Sequence, residues 1–89
     1  MEIIFDAVKN EKNITVRGIS LSEASKLDWD SALVWTDDRA LYGEQREVAL
    51  ALMDQRVYCV VFVDRGDTRR IISLRKANLR EVKRYDNEA

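Results

Sequence analysis

The run Thr68-Arg69-Arg70-Ile71-Ile72-Ser73-Leu74-Arg75-Lys76-Ala77 carries most of the chemistry this chain can attempt. Three arginines and a lysine sit in and around a short apolar core, and Arg80, Glu81, Arg84 and Tyr85 follow soon after. A guanidinium is planar, stays charged at any physiological pH and matches phosphate oxygens two at a time. RNA cleavage asks for little beyond such a set, because the attacking group is the substrate's own ribose 2′-hydroxyl. The protein has to position the phosphate, neutralise the charge developing on its oxygens and move protons. The chain has no histidine. The base would therefore be Glu81, or a Lys76 or Tyr85 whose pKa is lowered among the cations. A blander account exists for each group. Basic residues late in a helix meet its dipole favourably, Glu81 can pair along the helix for a few tenths of a kcal/mol, and Tyr85 can be a core aromatic.

Strand alternation places Arg69, Ile71, Ser73 and Arg75 on one face and Arg70, Ile72 and Leu74 on the other. A helix over residues 76–85 follows, with Leu79 and Val82 as its apolar stripe. Strand end and helix start must be close in space, so the arginines, Lys76, Glu81 and Tyr85 are expected to converge at the junction. Three strand signals lead into it: residues 46–53, with Val48, Leu50 and Leu52 on one face; residues 56–64, apolar through the middle; and residues 68–74. Asp54-Gln55 and Arg65-Gly66-Asp67 are the turns of this antiparallel meander. Upstream, residues 2–5 read as a strand. Asp6 caps a helix over residues 7–16, and Gly18 supplies a left-handed C-cap. Ser20 and Glu23 stand at capping-box spacing before a second helix over residues 21–27. Residues 29–35 are strand or extended chain with Leu33 and Trp35 inward, and residues 37–44 read as a polar loop. The fold class expected is α+β: two layers, an antiparallel meander with N-terminal helices and a C-terminal helix, the other sheet face partly open.

Composition narrows the functions available. At 89 residues the chain suits one domain, spanning 1–89, and buries only about 60–65% of its unfolded surface. No apolar run approaches the roughly 20 residues of a membrane helix, and the N-terminus lacks the basic start of a signal peptide. A cytoplasmic location follows as an expectation, with no membrane contact. The single Cys59 reads as a small buried apolar residue. Asp28, Asp30, Asp37 and Asp38 read as solvated loop acids, so no metal site and no cofactor is expected. The net charge of −1 hides an asymmetry. Residues 1–64 hold 7 basic and 12 acidic side chains, while residues 65–85 hold 8 and 2. Such a local patch suits a polyanion or an acidic partner.

From Gly43-Glu44-Gln45-Arg46 to Tyr85 the sequence resembles the BrnT toxin family. The resemblance is carried by the apolar strand, the Arg65-Gly66-Asp67 turn, Arg70-Ile71-Ile72-Ser73-Leu74-Arg75-Lys76-Ala77, and then Glu81 and Tyr85. Phe5-Asp6, Lys9, Asn13 and Gly18-Ile19-Ser20-Leu21 match the family's N-terminal pattern more loosely. The resemblance implies a RelE-like fold and a ribonuclease, a hydrolase-class toxin that arrests translation. It also implies a BrnA-like antitoxin that binds DNA through a ribbon-helix-helix domain and forms a heterotetramer with the toxin, so that DNA is met only through the antitoxin. Matching positions make Arg70, Arg75, Lys76, Glu81 and Tyr85 the catalytic candidates. Arg70 and Arg75 would hold the scissile phosphate, Glu81 is the first choice for base, and Lys76 or Tyr85 assists as acid. Arg69, Arg80 and Arg84 are added as RNA contacts on charge. One departure stands out: Val16-Arg17 precede Gly18 where the family commonly has Lys-His, and arginine cannot shuttle protons near neutral pH. The competing expectation is a noncatalytic module whose basic face binds an acidic protein or DNA.

Overall fold

A computed structural model describes residues 1–38 and 43–88. Strand β1 (Glu2–Phe5) leads into helix α1 (Ala7–Arg17), then come 3₁₀ turns at Leu21–Lys26 and Trp29–Ser31. Strands β2 (Leu33–Asp37), β3 (Arg46–Met53), β4 (Arg56–Arg65) and β5 (Thr68–Lys76) follow, and helix α2 (Leu79–Glu88) ends the chain. The five strands form one sheet in the order β1-β5-β4-β3-β2. From β2 to β5 it is an antiparallel meander, and β1 joins the β5 edge in parallel. Among the described residues no helix is long and apolar enough to cross a membrane.

Local chemistry explains the element ends. The Asp6 side chain accepts from the Lys9 amide, and Gly18 closes α1 at φ 73°. Asp54 and Gln55 turn β3 into β4 with φ of 51° and 66°, the type I′ signature of a two-residue hairpin. The expected second helix is a 3₁₀ segment instead. Ser20 accepts from the Ser22 amide, and Glu23 spends its carboxylate on Lys26, so the reciprocal capping box does not form there. It forms at α2, where the Asn78 side chain accepts from the Glu81 amide and the Asn78 amide donates to Glu81, both at 2.9 Å. The middle of the expected polar loop, residues 39–42, lies outside the described residues.

The expectation of two layers is corrected to three. Leu21, Ala24 and Leu27 pack with Ala49, Ala51, Val60, Phe62, Ile71 and Leu74 on one sheet face. Val48, Leu50, Val57, Cys59 and Tyr85 form a second cluster on the other, joined by Trp35, Val61 and Val82. The cause is in the two central strands. Both alternate sets of β3 and β4 are apolar, so both faces must be covered. Helix α2 covers the second face through Val82 and Tyr85. Leu79, expected in its stripe, is 70% exposed.

A β-bulge gives the second correction. Val61 pairs with Ser73 but Phe62 pairs with Ile71, so Ile72 is the extra residue of β5 and the alternation changes phase there. Arg69, Ile71 and Leu74 then face the α1 side. Ser73 and Arg75, in register with Val61 and Cys59, face the α2 side. Lys76 pairs with Tyr58, which packs on the first cluster, so Lys76 belongs to the α1 side.

Beyond Ile71 the edge of β5 has no strand neighbour among the described residues. Asn13 of α1 replaces one. Its side-chain amide donates to the Leu74 carbonyl at 2.8 Å and to the Ile19 carbonyl at 2.9 Å, and its oxygen accepts from the Leu74 amide at 3.3 Å. Asn10, three residues earlier on the same side of the helix, accepts from the Leu21 amide at 2.7 Å. Helix α1 is therefore pinned to the body by two asparagines, while Val8, Ile14 and Val16 remain exposed.

Candidate functional site

A cleft of about 280 Å³ opens on the α2 side of the sheet, between β2, β5 and the first turn of α2. Arg75, Glu81, Ser73, Asp37, Trp35 and Cys59 are among its lining. At its centre Arg75 grips Glu81 with two parallel bonds, Nη1 to Oε1 at 2.8 Å and Nη2 to Oε2 at 3.0 Å. A third guanidinium N–H reaches the Lys76 carbonyl at 3.3 Å. The pair is well placed by its elements: the bulge turns Arg75 to this face, and the Asn78–Glu81 cap fixes the carboxylate at the start of α2. Both side chains are largely covered, at 32% and 18% exposure, which makes a forked pair worth more than on an open surface.

The Arg75 guanidinium holds the Glu81 carboxyl below its ordinary value; burial opposes this, and the Asn78 amide and the Cys59 thiol support it. A carboxylate so engaged orients its arginine well and takes up a proton poorly near neutral pH. Among the described residues no three His, Cys, Asp or Glu side chains cluster as metal ligands would.

The other candidates do not all meet here. Arg69 lies across the sheet, paired with Asp64 at 2.6 and 2.8 Å and sandwiched over Trp29 and Phe62 at 4.5 and 4.3 Å. Arg70 lies near Glu44, whose carboxyl is held below its usual range first by the hydrogen bond from Arg65, with the charges of Arg65, Arg70 and Arg46 adding to it. Tyr85 is buried in the second cluster with its hydroxyl 3.4 Å from the Ser31 carbonyl. Arg80 and Lys76 are exposed. Arg84 stacks over Trp35 at 4.1 Å, at the rim of the cleft, and pairs with Glu88 at 3.1 Å. The expected convergence is thus narrower than the sequence suggested. The bulge splits the cations between two faces, and Tyr85 of α2 is used for packing.

Sequence reading also missed contributors. Asp37, taken for a solvated loop acid, ends β2 in register with Arg46 and is 7% exposed. Ser73 lines the cleft beside Arg75; its parity with Arg75 was the available signal. Trp35 forms a wall and Cys59 part of the floor, which only strand pairing reveals.

A five-stranded, mostly antiparallel α+β sheet with an arginine–carboxylate pair in a cleft on one face defines the class of protein. Residues 5–81 match the family model described as "Ribonuclease toxin, BrnT, of type II toxin-antitoxin system". The chain belongs to this family. Its fold is similar to that in the 1.1 Å crystal structure of the Brucella abortus ribonuclease toxin BrnT, with a TM-score of 0.67 and 23% identity over 88% of this chain and 97% of that one. A search of the curated proteins finds no match. Membership makes this chain a ribonuclease toxin of a type II toxin–antitoxin system, with RNA as substrate and an antitoxin as partner.

Proposed function

We propose that the chain cleaves RNA without a metal, by transesterification in the Arg75 cleft. The observation that carries this is the forked Arg75–Glu81 pair in a cleft whose lining also includes Ser73, Trp35, Asp37 and Asp38. The ribose 2′-oxygen attacks phosphorus, the bond to the 5′-oxygen breaks, and the 2′-hydroxyl proton is removed while the leaving oxygen gains one. The products are a 2′,3′-cyclic phosphate and a free 5′-hydroxyl. Arg75 binds the phosphate and stabilises the charge on its oxygens. Glu81 holds that guanidinium in place, which removes the cost of arranging it at each turnover. The lowered Glu81 pKa makes orientation its first task, ahead of the role of base.

Cleavage of messenger would arrest translation, as in the RelE superfamily to which the fold is assigned by this reading. A BrnA-like antitoxin with a ribbon-helix-helix DNA-binding domain would neutralise the toxin in a heterotetramer. The test uses end-labelled single-stranded RNA in EDTA. The parent chain should leave cyclic phosphate ends, and Arg75→Ala should lose about 10²–10³-fold in rate. Folded parent protein that leaves both free and ribosome-bound RNA intact would replace the enzyme by a binding module.

A further inference from the structure

A second groove, of about 250 Å³, runs where α1 crosses the edge of β5. Lys9, Lys12, Arg17, Val16, Ile72 and Ser73 line it. The three cations are exposed and, among the described residues, none of them forms an ion pair. They are spread over one broad face of α1, at spacings of three and five residues, covering about 12 Å of helix from Lys9 to Arg17. Ser73 lines this groove and the Arg75 cleft alike, so the two adjoin across a single residue of β5. The bulge at Ile72 lets the same strand serve both sides.

We infer that this groove is a second phosphate-binding site, which holds the RNA backbone of the strand whose scissile phosphate lies in the Arg75 cleft. The inference rests on the cleavage reading above. Three cations in a concave strip, without an ion pair among the described residues, suit a polyanion. Continuity with the cleft through Ser73 favours a nucleic acid strand over an acidic polypeptide. The strand would leave the cleft at Ser73 and run along α1, with Lys9, Lys12 and Arg17 each neutralising a phosphate.

The experiment measures binding of a 2′-O-methyl single-stranded oligonucleotide, which cannot be cleaved, by fluorescence anisotropy from about 50 to about 200 mM salt. The parent, the triple variant Lys9→Ala/Lys12→Ala/Arg17→Ala and Arg75→Ala are compared, with folding checked by circular dichroism. The triple variant should bind roughly tenfold or more weakly, with a log–log salt slope shallower by about two, from about 0.7 for each of three phosphates. A triple variant with the parent's affinity and slope overturns the inference. If Arg75→Ala has then lost cleavage, the cleavage site survives and only the groove falls. A groove that loses polyglutamate binding but keeps oligonucleotide binding belongs to an acidic protein, which also overturns it. A parent that binds no oligonucleotide also overturns the inference, while the cleavage reading stands or falls on its own assay with free and ribosome-bound RNA.

Discussion

Glu81 accepts from Arg75, from the Asn78 amide and from Cys59, and each contact favours its ionised form. Its folded pKa is therefore lower than its unfolded one, near 4.3. The stability this contributes is fully present above the unfolded value and is lost as pH falls through the lowered folded value. Urea midpoints measured downward from about pH 5 should show this acid limb in the parent and a flatter one in Glu81→Gln. Equal slopes would mean that the carboxylate gains nothing from its partners. Arg75→Lys tests geometry at constant charge. An ammonium cannot make the fork, so single-turnover cleavage should fall nearly as far as in Arg75→Ala, and retention of parent activity would show that charge alone suffices.

At the scale of elements, the free stretch of β5 depends on Asn13. Replacing it with Leu keeps the branched outline but strands the Leu74 amide and carbonyl beside an apolar side chain. A loss of about 2 kcal/mol in urea-determined stability is expected, and a variant as stable as the parent would show that water reaches this edge. The β3–β4 turn offers the opposite change. Gln55 holds φ 66°, a region that disfavours a side chain. Gln55→Gly should stabilise by about 0.5–1 kcal/mol, read as a rise in midpoint at unchanged denaturant slope. Strands β1, β3, β4 and β5, their turns and α1 were legible because their signals are local: apolar alternation, Asp6, Gly18 and the Asp54-Gln55 pair; β2, left open between strand and extended chain, is fixed by its pairing with β3. The bulge was not. A one-residue phase change leaves no mark in the hydrophobic pattern of Ile71-Ile72-Ser73-Leu74, since either parity offers an apolar set.

Across the whole molecule, charge and exposure are divided. The net charge is −1, yet the Arg75 cleft and the α1 groove both bring cations to the neighbourhood of Ser73. Apolar side chains on α1 stay exposed, as does Leu79, which suits a chain that spends time covered by a partner. Added cognate antitoxin at about 100 times its dissociation constant should stabilise by about 2.7 kcal/mol, raising Tm by roughly 10–20 °C. A Tm indifferent to antitoxin would mean that the two do not bind in the folded state.

By itself, the sequence determined β1 and the three strands of the β3–β5 meander, the absence of histidine chemistry, the charge asymmetry and the family resemblance, because each is written in neighbouring residues or in composition. It even held the sign of three layers, in strands apolar on both parities. Tertiary structure alone decided which candidate cations share a cleft. Whether Arg69 shares the face on which Arg75 meets Glu81 depends on one unpaired residue at Ile72, and whether Asp37 is solvated depends on its pairing with Arg46. Those contacts join residues far apart in the chain, and no local preference encodes them.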